Sequence, residues 1–155
     1  MSKEEAAFRG EYYQSIDPKG RIILPAKFRD VLSQRYDHNL IITKHLDKCL
    51  MAFPVAEWIV KENELKKLPT GRRDVRMLKR FYMASASECT LDRQSRIVIP
   101  PSLKQFAGLE KNIVIAGAID HFEIWERELF CEFTGLDESI QDSEEMQAIL
   151  NPLNF

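Results

Sequence analysis

Apolar residues along this chain gather in short runs divided by Pro, Gly and charged turns, and one ordered group of runs occurs twice. Leu40 to Thr43 and Cys49 to Phe53 have strand length and strand character, and so do Ile113 to Ala116 and Phe122 to Trp125. A short helical stretch precedes each pair, Ala26 to Arg35 in the first case and Ser102 to Ala107 in the second. Ahead of each helix stands a near-copy of one decapeptide: IDPKGRIILP over Ile16 to Pro25 and LDRQSRIVIP over Leu91 to Pro100. Four of the ten positions are identical (Asp17/Asp92, Arg21/Arg96, Ile22/Ile97, Pro25/Pro100) and three more are aliphatic exchanges. Because the same elements follow both copies, the match is an internal repeat rather than a coincidence.

Each copy predicts a ββαββ unit of about 45 residues, so the fold class is mainly β with short helices, α+β. Four short strands and one small helix expose too much apolar surface to stand alone. The two units are therefore expected to pair about a pseudo-twofold axis within the chain. The division that follows is 11–53 for the first unit, 54–81 for connector helices, 82–125 for the second unit and 126–155 for a tail. The connector contains a basic amphipathic helix over roughly Arg72 to Ala86, with Val75, Leu78 and Tyr82 on one face. Leu65 to Gly71, with Pro69 and Gly71, marks the break before it. Its Arg72, Arg73, Arg76, Lys79 and Arg80 read as the solvated face of a packed connector, with direct contact to nucleic acid as the alternative.

Charge changes the picture because it is distributed unevenly. Residues 1–119 carry 21 Lys/Arg against 14 Asp/Glu, whereas residues 120–155 carry Arg127 against 10 acidic residues. A basic body with an acidic tail hints at a polyanion partner. Met1 to Gly10 is charged and lacks the apolar stretch of a secretory leader, and the Ile113 to Ile119 run is too short to span a bilayer. The expected location is cytoplasmic, with no membrane partner. Cys49, Cys89 and Cys131 form no CxxC pair, so neither a disulfide framework nor a metal site is expected, and all three read as buried thiols.

The chemistry is concentrated in the repeated D-x-x-x-R. Asp17-Pro18-Lys19-Gly20 has the residue preferences of a tight turn, which places Asp17 and Arg21 side by side across a hairpin. Asp92 and Arg96 repeat the arrangement, but Ser95 stands where the first copy has Gly20, so the second turn is strained if left-handed and can differ from the first. Both pairs can serve as turn locks. They can also hold a guanidinium in place for a phosphate or a guanine edge, and the two roles are compatible.

The segments FRGEYYQSIDPKGRIILPAKFR (Phe8 to Arg29), RFYMASASECTLDRQSRIVIPPSLKQFAGL (Arg80 to Leu109) and HFEIWE (His121 to Glu126) together resemble MraZ proteins across residues 8–130. The resemblance implies two AbrB-like units forming a swapped-hairpin β-barrel and assembling into a closed ring. It also implies a repressor that binds short repeated elements in double-stranded DNA, at its own promoter and at an adjacent division and cell-wall gene cluster, in association with the nucleoid. On this reading Lys19, Arg21, Arg93 and Arg96 contact DNA, Asp17 and Asp92 orient the arginines, and no cofactor or metal is needed. Ser95, Pro101 and the length of chain before Phe8 depart from the family pattern without removing the motif. The tail after Glu132 matches nothing in that pattern and is expected to be a frayed or helical surface segment.

Two other classes compete. Paired aspartates from two half-units could form an acid–base dyad, but an Arg four residues on keeps each Asp ionised, and no nucleophile motif accompanies His38, His45 or His121. An enzyme is therefore not expected. A ring-forming scaffold or an antitoxin-like protein-binding module without DNA binding is the alternative.

Overall fold

Both copies of the repeat fold alike in the computed structural model, which describes residues 5–135 and 138–155. The first unit contains β1 (Glu11–Ser15), β2 (Arg21–Ile23), α1 (Ala26–Arg35), β3 (Asn39–Lys44) and β4 (Leu50–Pro54). Two connector helices follow, α2 (Val55–Lys66) and α3 (Arg73–Met83). The second unit contains β5 (Ser87–Thr90), β6 (Arg96–Val98), α4 (Pro101–Phe106), β7 (Asn112–Gly117) and β8 (Phe122–Glu126). After it come α5 (Arg127–Phe133), α6 (Glu138–Gln141) and α7 (Glu144–Leu150). Pro25, Pro54 and Pro100 stand directly before α1, α2 and α4. Each supplies a fixed φ and no N–H, which ends extended pairing and leaves the helix start with one orphaned donor fewer.

The units are interleaved rather than laid side by side. A six-stranded antiparallel sheet runs in the order β1-β7-β8-β4-β3-β5, and a separate two-stranded ribbon pairs β2 with β6. Thus β1 of the first unit pairs with β7 of the second, Ser15 opposite Asn112, and β5 of the second pairs with β3 of the first, Thr90 opposite Asn39. The order is a palindrome of equivalent strands, with the axis between β4 and β8, where Met51 faces Glu123. The ribbon obeys the same axis, since Ile22 and Ile97, the matched isoleucines of the two decapeptides, face each other. Strands β1 and β5 are the two ends of the sheet, so hydrogen bonding among the described residues does not close a barrel.

Both faces of the sheet are covered, which is why β3 and β7 read as continuous apolar runs rather than alternating ones. On the inner face, Leu40, Ile42, Ile113 and Ile115 join Ile22, Leu24, Ile97 and Ile99 of the ribbon segments, Phe28 and Leu32 of α1, and Leu103 of α4. Phe8 and Phe28 meet edge to face at 5.2 Å, and both pack on Phe122. On the outer face, α2 lays Trp58 over Ile41 and Phe53, and α5 lays Phe130 beside Val114, Ala116 and Trp125. Trp58 donates its indole N–H to Glu62.

Several details differ from the sequence reading. Cys49 and Cys89 are buried, but Cys131 is exposed, because Phe130 is the residue that turns the short helix α5 inward. The basic helix is shorter than its charge pattern suggests. Val75 is buried and Tyr82 packs on the Phe53 cluster, while Leu78 remains exposed. The end of α3 is tied to the sheet through Thr43, whose hydroxyl donates to the Tyr82 carbonyl at 2.6 Å. Part of the acidic tail, residues 136–137, lies outside the described residues, as do residues 1–4 of the charged start. Among the described residues no helix is long and apolar enough to cross a membrane.

Candidate nucleic-acid interface

Each end of the β2–β6 ribbon begins in a D-x-x-x-R turn, and the two turns carry the same bonds. Asp17 Oδ1 accepts the backbone N–H groups of Lys19 and Arg21, each at 2.9 Å, and Oδ2 accepts Nε of Arg21. Asp92 Oδ1 accepts the N–H groups of Gln94 and Arg96 at 2.8 and 2.9 Å, and Oδ2 accepts Nε of Arg96 at 3.0 Å. In both, the backbone closes by a bond from residue four to residue one: Gly20 N–H to the Asp17 carbonyl, and Ser95 N–H to the Asp92 carbonyl. The second turn therefore does not differ in form. Ser95 sits at φ 65°, the counterpart of Gly20 at φ 81°, and takes the left-handed strain itself, a cost of roughly 1–2 kcal/mol.

The turns also brace each other across the axis. Ile99 N–H donates to the Gly20 carbonyl at 2.7 Å, and its equivalent Leu24 N–H donates to the Ser95 carbonyl at 2.8 Å. A side chain at position 20 would place its Cβ 2.6 Å from the Ile99 carbonyl oxygen, so the first turn requires glycine for space as well as for φ. The second turn carries an extra tie, from Arg29 Nη1 of α1 to Ser95 Oγ at 2.6 Å. The Arg29 Nε beside it is buried and takes no partner among the described residues.

Electrostatics keep both aspartates charged. Backbone donation from Arg21, followed by its guanidinium, holds the Asp17 carboxyl below the usual carboxylate range, and Arg96 does the same for Asp92. An acid–base dyad needs one carboxyl pushed the other way, so this pair cannot supply one.

Each Asp engages the Nε edge of its Arg, and among the described residues the terminal nitrogens of Arg21 and Arg96 take no partner. The ribbon register then places four side chains on its solvent face. Arg21 lies opposite Val98 and Arg96 opposite Ile23, with Ile22 and Ile97 turned into the core. Ile23 and Val98 are 57% and 51% exposed, an apolar pair between two arginines. Neither aliphatic residue was singled out from the sequence, although the alternation R-I-I-L and R-I-V-I carries the signal. Lys19 and Arg93 are exposed at the turn tips, one position out of register with each other. The fold thus brings Arg21 and Arg96 onto one ribbon face, with Lys19 and Arg93 on the turns that lead into it. The basic connector helix packs on the outer face of the sheet, whereas the ribbon covers the inner face. Its Arg72 pairs with Asp74, and Arg76 donates to the carbonyls of Thr70 and Gly71.

A family model described as "MraZ protein, putative antitoxin-like" matches the chain twice, over residues 7–81 and 82–149. The chain is 43% identical to a protein named Transcriptional regulator MraZ from Clostridium beijerinckii, over 96% of this chain and 99% of that one. Proteins of the same name from Leuconostoc citreum and Caldicellulosiruptor bescii are 43% and 42% identical, over 82% and 88% of this chain and 86% and 96% of theirs. These relatives are named as transcriptional regulators and not as enzymes. With two matches that divide the chain as its own repeat does, the protein belongs to the MraZ family.

Proposed function

We propose that this protein is a transcriptional regulator that binds DNA sequence-specifically through the β2–β6 ribbon and its two turns. The observation that carries the reading is the repeated Asp–Arg lock: the carboxylate fixes Nε, and the planar guanidinium presents its remaining donors outward. Held this way, Arg21 and Arg96 suit bidentate contact with guanine or phosphate, where one good base pairing contributes about 1–3 kcal/mol of discrimination. Lys19 and Arg93 add phosphate contacts. Ile23 and Val98 are placed to meet thymine methyl groups between the two arginines.

The names of the relatives support the regulatory role. The finer expectations follow from the resemblance: a swapped-hairpin barrel, a closed ring of subunits, and repression at repeated elements of its own promoter and the adjacent division and cell-wall genes, in the cytoplasm at the nucleoid. A ring multiplies the ribbon, so many phosphates are neutralised at once and binding is steeply salt-dependent. The competing antitoxin-like reading has the family description in its favour.

Footprinting on the DNA upstream of the protein's own gene separates the two. Protection of short, evenly spaced repeats, weakening roughly 10³–10⁵-fold between 50 and 200 mM salt, is the expected result. Absence of any protected repeat at low salt, with the protein folded, removes the DNA reading.

A further inference from the structure

On the outer face of the sheet, away from the ribbon, three residues with metal-binding side chains converge from separate positions in the sequence. His45 follows β3, Cys49 precedes β4, and Glu123 lies on β8. The His45 N–H donates to the Cys49 carbonyl at 2.9 Å, which closes the turn and sets imidazole and thiol side by side. Glu123 is delivered by the β4–β8 pairing, opposite Met51. One ligand atom from each of the three lies within 4.8 Å of the others, and His45 Nε2 is 3.6 Å from Glu123 Oε2. Tetrahedral zinc with bonds of about 2.0–2.3 Å requires ligand atoms roughly 3.3–3.8 Å apart, so the N···O separation already fits and the thiol has at most about 1 Å to move.

We propose that His45, Cys49 and Glu123 form a binding site for one zinc-class divalent cation per chain, clamping the β3–β4 turn of the first unit to β8 of the second. The surroundings are arranged for it. Trp125 donates its indole N–H to Glu123 Oε1 at 3.1 Å, which orients the carboxylate and leaves Oε2 toward His45. Asp47 Oδ2 stands 3.6 Å from His45 Nδ1 on the far side of the ring. The Asp47 N–H donates to Nδ1 at 2.9 Å, which assigns the ring proton to Nε2. Coordination through Nε2 moves the ring proton to Nδ1, so the Asp47 N–H must release Nδ1 and the Asp47 carboxylate, 3.6 Å away, takes its place by accepting from Nδ1–H, the usual outer partner of a ligating histidine. The Cys49 thiol proton is released to solvent, one per metal bound. Among the described residues neither Asp47 nor Glu123 has a Lys or Arg salt-bridge partner. His45 also lines a cavity of about 270 Å³ beside Met51, Phe53, Trp58 and Tyr82.

Thiolate with imidazole and carboxylate selects zinc, cobalt or their neighbours over magnesium and calcium, which prefer oxygen alone. The thiol is no free nucleophile, since burial raises its pKa and Glu123 and Asp47 raise it further. The pseudo-twofold axis does not repeat the site. It relates β4 to β8 so that Cys49 corresponds to His121 and Glu123 to Met51, and His121 instead stacks on Phe53 at 4.5 Å. One site per chain is therefore expected.

Cobalt(II) added to the chelator-treated full-length protein tests the site. Expected are a thiolate-to-cobalt charge-transfer band saturating at one equivalent per chain, its displacement by zinc but not by magnesium, and a melting midpoint higher by roughly 5–10 °C at a hundredfold excess over Kd. Cys49→Ala abolishes the band, His45→Gln and Glu123→Gln each weaken binding tenfold or more, and Cys131→Ala changes nothing. No saturable band overturns the proposal, and so does a band that survives Cys49→Ala. Should Cys49→Ala fail to fold, His45→Gln decides alone: cobalt affinity equal to that of the unmodified protein overturns the proposal.

Discussion

The two D-x-x-x-R turns have the same hydrogen bonds yet are built from different residues, and the contrast separates what the motif requires from what each copy happens to use. The first turn meets the left-handed position with Gly20 and packs so tightly on Ile99 that nothing larger fits. The second accepts the strain of Ser95 and offsets it with the Arg29 hydrogen bond to the Ser95 hydroxyl. What both keep is Asp on Nε of Arg. Turn shape has thus been reached by two routes, whereas guanidinium orientation has been reached by one.

The largest expected effect concerns that shared element. Arg21→Ala and Arg96→Ala are expected to reduce operator affinity at least a hundredfold in gel shifts, with stability lowered by no more than about 1 kcal/mol, the size of a partly exposed ion pair. Arg21→Ala is expected to be the greater loss, because its turn is unstrained. Normal binding by both variants would make the motif a turn lock alone. Next in size is Gly20→Ser, which copies the second turn into the first. The new Cβ meets the Ile99 carbonyl, so a loss of about 1–3 kcal/mol is expected, a melting midpoint lower by roughly 2–12 °C. A neutral result would show that the two turns are interchangeable.

The reverse exchange, Ser95→Gly, is expected to lie within about 1 kcal/mol of neutral, because relief of strain opposes loss of the Arg29 tie. A drop well beyond that would assign the Arg29 bond the dominant role. The smallest effect is that of acid. Asp17 and Asp92 have lowered folded pKa values, so their contribution is fully present above the unfolded carboxylate pKa and disappears as pH falls through the lower folded value. Thermal melts of Asp17→Asn beside the unmodified protein are expected to differ at pH 6 and to converge as the pH is taken below the ordinary carboxylate range. A gap that does not change with pH would mean that ionisation of Asp17 adds nothing.

Much of this was legible from residues alone. The bounds of α1, the four core strands and the matched turns follow from periodicity, proline placement and the repeat. The exposed pair Ile23 and Val98 could have been read from the same alternation that buries Ile22 and Ile97. Partner choice could not, because an apolar run such as Asn112–Gly117 does not state whether it pairs within its unit or with β1 of the other. The grouping of His45, Cys49 and Glu123 has the same origin, since it depends on the β4–β8 register and not on any spacing along the chain. Cys131 was misread because cysteine is usually buried, and a helix as short as α5 has room to turn few side chains inward.

The exchange of first strands between units has a consequence for the protein's birth. With Glu11 of β1 hydrogen-bonded beside Ala116 of β7, roughly 100 residues must be synthesised before β1 has a partner, a wait of roughly 5–20 s at about 5–20 residues per second. For that interval the nascent first unit carries unsatisfied edges on β1, on β2, on the side of β3 that β5 will cover and on the side of β4 that β8 will cover, so a neighbouring nascent chain on the same messenger can supply the missing strands first. The internal repeat, by making each unit a fair imitation of the other's partner, leaves the polysome as the place where intermolecular exchange competes with correct folding.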